Sequence, residues 1–270
     1  MAQHQRRRGR PLGCTGSVVA PDDRQRSSTE RPRPGPVTLV GSTLAGPVLV
    51  TGPGAGEVDS DEGGGHGEEM AELPDVLERA RTLGVLGPGP VDTHIEHADA
   101  FVQAVADRRG PVLDLGSGGG VPGLVLACAR PDLELALLDA QERRTALLRE
   151  AVEALGFTDR VTVLHGRAED LARDPGLRAA FDVVTARSFG PPAVVAECAA
   201  PFLRVGGRLV VSEPPESDGS RWPAPALAAL GLTPAPTSPA GFQALVQDTP
   251  CPEAYPRRSG VPGKRPLFRD

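Results

Sequence analysis

Two carboxylates and a cluster of glycines near the middle of the chain are the residues best placed to do chemistry. Val112-Leu-Asp-Leu-Gly-Ser-Gly-Gly-Gly-Val-Pro-Gly123 is an apolar run that ends in an acid and then in glycine, and a second apolar run, Leu133 to Leu138, ends at Asp139. Glycines at 116, 118 and 120 let the backbone approach a ligand closely and adopt positive φ, where a side chain would obstruct it. Gly118, Gly120 and Gly123 also satisfy the G-x-G-x-x-G spacing of a dinucleotide site, which alone is a weak match. Asp114, heading an Asp-x-Gly-x-Gly-x-Gly order, can receive a cationic amino group through the loop or a water. Asp139 can take both hydroxyls of a ribose. A dinucleotide site would use the second acid too, so Asp114 and the glycine order favour S-adenosylmethionine, with a dinucleotide as the alternative.

Other chemistry-bearing residues are sparse. His94 and His97 stand at i and i+3 on one helix without a third ligand nearby, so they read as packing or surface residues and no metal is expected. His165 reads as the end of a strand. The four cysteines, Cys14, Cys128, Cys198 and Cys251, are widely spaced with no Cys-x-x-Cys pair, which supports neither a disulfide framework nor a zinc ribbon.

The elements that must position the loop follow from periodicity. From Gly110 onward, strand and helix patterns alternate: Val112 to Leu115, a helix from Leu124 to Ala129, Leu133 to Leu138, and a long helix in which Leu148, Ala151, Val152 and Leu155 share one face and Gly156 closes the end. Val161 to Leu164, Phe181 to Thr185 and Arg208 to Ser212 supply further strands, with a helix from Pro192 to Leu203 before the last. Phe242 to Val246 reads as an edge strand. Such alternation predicts a mostly parallel sheet covered on both faces, with its ligand crevice at the carboxyl ends of the strands, where the glycine loop lies. Two helical patterns, Leu73 to Ala80 and Asp92 to Asp107, form a preface over 70–109, before a catalytic domain over 110–270.

Residues 1–69 contain 13 glycines and 7 prolines without sustained apolar periodicity and read as a disordered tail, although Val37 to Val50 could dock as a strand. The chain of 270 residues is 39% hydrophobic, enough for one sizeable core. It has no apolar run of about 18 residues and no signal-peptide core, so a soluble cytoplasmic protein is expected. A net charge of −6 excludes a protein that is basic throughout. Lys264 is the only lysine among 29 cationic side chains, a skew that reads as coding bias more readily than as phosphate recognition. The end of the chain is locally basic: Arg257, Arg258, Lys264, Arg265 and Arg269 outnumber Glu253 and Asp270.

The run Leu113 to Leu124, with Arg130-Pro131, Leu137-Leu-Asp139, Arg143-Arg144, Arg167-Ala-Glu169, Ala186-Arg-Ser-Phe189, Gly206-Gly-Arg208 and the ending Tyr255-Pro-Arg-Arg-Ser-Gly-Val-Pro-Gly-Lys-Arg-Pro-Leu267, resembles the RsmG (GidB) family over about 110–268. The Val-Pro-Gly continuation of the loop and the basic ending are its most specific parts. The resemblance implies a Rossmann-like class I S-adenosylmethionine-dependent methyltransferase fold, transfer of a methyl group to N7 of a guanine in 16S ribosomal RNA, and ribosomal RNA or the small subunit as partner. It implies donor contacts from Gly116 and Val121 in the loop that also holds Ser117, Gly118 and Gly120, from Ala168 and Glu169 around the adenine, and from Arg187. A monomer is expected, and no catalytic dyad, because guanine N7 has no proton to lose. The chain departs from the family pattern twice. Gly87 to His97 replaces its Asn-Leu-Thr and Arg-Asp segment, and Glu213-Pro214 replaces Lys-Gly, an anion expected to repel phosphate. A methyltransferase of a small molecule or protein, or a donor- or RNA-binding module without turnover, therefore stays open as an alternative.

Overall fold

In the computed structural model, residues 71–269 are described. The tail over 1–69, its Val37 to Val50 patch and Cys14 lie outside the described residues. Two helices come first, α1 (Leu73–Thr82) and α2 (Val91–Ala104). In α1, Pro74 occupies the first turn, where a missing N–H costs nothing, and Leu77 and Ala80 form the buried face. Gly84, at φ +70°, turns the chain just past its end.

The alternating region follows as β1 (Val112–Leu115), α3 (Gly123–Ala129), β2 (Leu135–Asp139), α4 (Glu142–Ala154), β3 (Val161–His165), α5 (Ala168–Leu171), β4 (Phe181–Ala186), α6 (Pro192–Ala199) and β5 (Leu203–Ser212). The chain then adds α7 (Ala224–Ala228), β6 (Leu232–Pro234), β7 (Phe242–Gln247) and α8 (Val261–Lys264). The seven strands lie in the order β3-β2-β1-β4-β5-β7-β6. Strands β1 to β5 pair in parallel, and β7 runs antiparallel to both its neighbours. This is the Rossmann-like α/β sheet expected. Strands β1, β2 and β4 are buried on both faces, so they read as apolar runs. Val112, Leu135, Val183 and Val210 belong to one core, whereas Leu113, Leu138, Val184 and Leu209 belong to the other. The first core is closed by α1, α2, α3 and α4, and the second by α6, Trp222 and Leu227.

Three sequence expectations need correction. The segment around Phe242 is an interior strand, β7, and the edge is β6, whose three residues are too few to show a period. Pro234 is tolerated there because an edge strand can lack a ladder N–H. The helix from Pro192 ends at Ala199, and the 3-10 turn Ala200–Phe202 around Pro201 leads straight into β5. Strand β5 begins at Leu203, five residues before Arg208, because its exposed first half and Gly206, at φ +82°, mask the alternation. No helix among the described residues is long and apolar enough to cross a membrane.

Candidate active site

The strand order reverses beside β1, so the carboxyl ends of β1 and β4 open the crevice where such sheets hold ligands. Asp114 sits there, 1% exposed and paired in register with Thr185 of β4. Its Oδ1 accepts the Thr185 hydroxyl at 3.0 Å and its Oδ2 accepts the Gly123 N–H at 3.1 Å. Burial pushes the carboxyl up to about 6, against the opposing pull of Thr185, Ser117, Gly123 and the Arg187 charge. The sequence placed Asp114 against a cationic ligand group. In the structure it lies beneath the loop and fixes the first N–H of α3.

The glycine loop is tied at its other side to β2. Gly118, at φ +54°, donates its N–H to Asp139 Oδ2 at 3.1 Å, and Gln141 N–H donates to Oδ1 at 2.8 Å. Arg144 Nη1 reaches Oδ2 at 3.5 Å. A carboxylate offers about four lone-pair sites, so Asp139 retains acceptor capacity toward hydroxyls arriving from the crevice. Ser117 is 2% exposed, and its hydroxyl donates to the Asp114 carbonyl at 2.9 Å. Gly116, at φ +76°, passes so close to Phe189 that a Cβ would lie 2.5 Å from its ring. Gly120 closes a turn onto Leu124, and the Val121 side chain is buried in the core with α3.

Ala168 and Glu169 open α5 just beyond β3. Glu169 is 4% exposed, and its Oε1 accepts the Gly260 N–H at 3.0 Å and Arg167 Nη2 at 3.2 Å. Burial opposes its charge, but the Gly260 N–H, its own backbone and Arg167 outweigh that and hold the carboxyl below its usual value. The side chain therefore faces the C-terminal segment.

Arg187 follows β4. Its Nη2 meets His94 Nδ1 at 2.5 Å, and His94 Nε2 lies 3.1 Å from the Gly87 carbonyl. Nε2 must therefore carry the proton it donates to Gly87, and Nδ1 accepts from the arginine. Burial lowers the Arg187 pKa despite the nearby Asp114 charge, and its Nη1 is buried without a hydrogen-bond partner. The guanidinium lines a cavity of about 490 Å³ that also takes in His94, His97, Glu213, Arg221 and Trp222. The sequence reading missed both histidines as site residues, because the contact that recruits His94 spans 93 positions. It also read Glu213 as a bare anion. The structure pairs it with Arg221 Nη1 at 3.2 Å and with the Ser217 hydroxyl at 2.7 Å. Among the described residues, no group of three or more His, Cys, Asp or Glu side chains could hold a metal ion.

The loop, Asp114, Asp139 and Arg187 thus meet at the ends of adjacent strands, with 168–169 at the end of the next strand outward and the cavity on the β4–β5 side. Comparison with known proteins gives the same region a relationship. A family model described as GidB, rRNA small subunit methyltransferase G, matches residues 91–213. A protein from Moorella thermoacetica called ribosomal RNA small subunit methyltransferase G is 39% identical over 166 residues, covering 58% of this chain and 69% of the relative. Proteins of the same name from Leuconostoc mesenteroides and Symbiobacterium thermophilum are 36% and 37% identical, covering 73% and 76% of their own lengths.

Proposed function

Because this chain belongs to the family of rRNA small subunit methyltransferase G, we propose that it transfers a methyl group from S-adenosylmethionine to N7 of a guanine in the ribosomal RNA of the small subunit. The observation that carries this reading is the glycine loop tied by two buried carboxylates, Asp114 and Asp139, beside a cavity lined by Arg187.

The residues present fit the donor. Asp139 has an acceptor site left for a ribose hydroxyl, and the backbone of Gly116, Gly118 and Gly120, on either side of Ser117, can approach the ligand without a Cβ in the way. The backbone at Val121, Ala168 and Glu169 would line the remaining walls. When bound, the donor supplies an electrophilic sulfonium methyl group. Guanine N7 presents a lone pair and no proton, so the protein needs no general base; its task is alignment and the exclusion of water. His94 holds Arg187 in one orientation, and Arg187 supplies a fixed positive charge between loop and cavity.

The same reading takes the protein to be a cytoplasmic monomer that acts on ribosomal RNA, with residues 110–270 as its catalytic unit, 70–109 as a helical preface and 1–69 as an appended tail. The test incubates purified full-length protein with unmodified small subunits and methyl-labelled donor. Label recovered as 7-methylguanosine in the ribosomal RNA supports the proposal. Label found only in protein or small-molecule fractions, or donor binding without transfer, overturns it.

A further inference from the structure

The cavity beside Arg187 holds an unusual pairing of polar groups. Glu213 turns a carboxylate into its wall with a side chain only 5% exposed. Oε2 is taken by Ser217 and Arg221, whereas Oε1 receives only Arg221 Nη1 at 3.3 Å. An acceptor is therefore available in a desolvated wall. Two residues of the same lining each carry an N–H without a partner. Trp222 is 3% exposed with its Nε1 unpartnered, and Arg187 Nη1 is buried and unpartnered as well. Buried donors without acceptors cost stability, so their persistence in a cavity wall points to a ligand that brings acceptors.

We propose that this cavity is the acceptor-base pocket and that Glu213 reads the Watson–Crick edge of the guanine, the remaining lone pair of Oε1 accepting from the N2 amine while Trp222 donates to O6. The inference rests on the function proposed above and names the residue that selects the base. Guanine presents two donors beside one acceptor on that edge. Adenine presents an acceptor at N1 and a donor at N6, the reverse order, and would set its N1 lone pair against the carboxylate. Reading a splayed-out base on this edge leaves N7, on the separate Hoogsteen edge, free to face the donor crevice. Arg221 and Ser217 then keep Glu213 ionised and aimed.

The test is binding, read separately from turnover. The full-length protein, saturated with S-adenosylhomocysteine, is titrated with GMP, IMP and AMP. Trp222 is the only tryptophan in the chain, so its fluorescence reports occupancy of this cavity directly. Expected is binding of GMP about tenfold tighter than IMP, which lacks only the N2 amine, the scale of one charge-assisted hydrogen bond. AMP binds more weakly still. Glu213→Gln should bring GMP and IMP within about twofold of each other. Trp222→Phe, followed by calorimetry, should weaken both alike because they share O6. Should Glu213→Gln not fold, the Trp222→Phe result and the wild-type GMP to IMP ratio still decide. Equal binding of the three nucleotides, no binding of any, or a full GMP preference in Glu213→Gln overturns the inference. Ribosomal RNA methylation with any of those results would sink this pocket assignment alone. Guanine selectivity dependent on Glu213, without ribosomal RNA methylation, would sink the proposed substrate and leave the pocket standing.

Discussion

His94 and Arg187 lie 93 positions apart and meet at 2.5 Å, the imidazole Nδ1 accepting from the guanidinium while Nε2–H is held by the Gly87 carbonyl. The loop Gly87-Pro-Gly-Pro90 thereby sets the tautomer that orients a cavity arginine. His94→Phe keeps the ring and removes both bonds. Its kcat/KM for ribosomal RNA methylation is expected to fall about tenfold, in line with one charge-assisted hydrogen bond. His94→Gln, which offers Arg187 a carbonyl acceptor, should recover part of that loss in steady-state assays.

The C-terminal segment is partly a strap. Arg257 Nε and Nη2 bind the fully buried Glu197 carboxylate at 2.8 and 2.6 Å, so Arg257 is not free to meet RNA as the local charge suggested. Arg257→Ala leaves that carboxylate buried and unpaired and is expected to cost about 3 to 5 kcal/mol in urea unfolding, with much of it recovered in Glu197→Leu/Arg257→Leu. Arg258, Lys264, Arg265 and Arg269 are exposed. Neutralising those four should flatten the salt dependence of RNA binding, by about 0.9 in log–log slope for each phosphate no longer neutralised, without changing affinity for S-adenosylhomocysteine.

Asp114 sets a pH signature. Its carboxyl, pushed up to about 6 by burial, binds a proton more tightly folded than unfolded. Folding stability from this group is therefore fully present below about pH 4 and declines as pH rises toward 6, a change on the order of 3 kcal/mol. Asp114→Asn can still accept from Gly123 and donate to Thr185. Subtracting its stability profile from that of the wild type should reveal this decline, and parallel profiles between pH 4 and 7 would falsify the assignment.

Asp139→Ala removes the acceptor for Gly118 and Gln141 together with the proposed ribose partner. Calorimetry is expected to show donor affinity weaker by about 1 to 3 kcal/mol. Unchanged affinity would take Asp139 out of the donor site.

A chain beginning at Met70 is expected to keep the melting temperature and donor affinity of the full-length protein. A loss of several degrees would show that residues 1–69 pack on the catalytic unit.

The fold was legible wherever local pattern carried it. Strands β1, β2 and β4, buried on both faces, show as apolar runs, and the acids at the ends of β1 and β2 mark the crevice. What escaped notice was non-local. The three residues of β6 have no period of their own and exist as a strand only by pairing with β7. The roles of His94, Arg257 and Glu169 depend on partners 93, 60 and 91 positions away. Glu213 looked hostile to phosphate because Arg221, eight residues on, comes beside it only after the chain turns back. Charge counted along a sequence cannot show which cations are already engaged.

The tie between Gly260 and Glu169 also orders events during synthesis. Helix α5 and Glu197 leave the ribosome well before residues 257–260, yet Glu197 finds its partner Arg257 only in that later segment. Until residue 260 has cleared the exit tunnel, Glu197 has no counter-charge and Glu169 has Arg167 without the Gly260 N–H. The C-terminal segment must therefore dock last, on a sheet that the nascent chain has already been able to build.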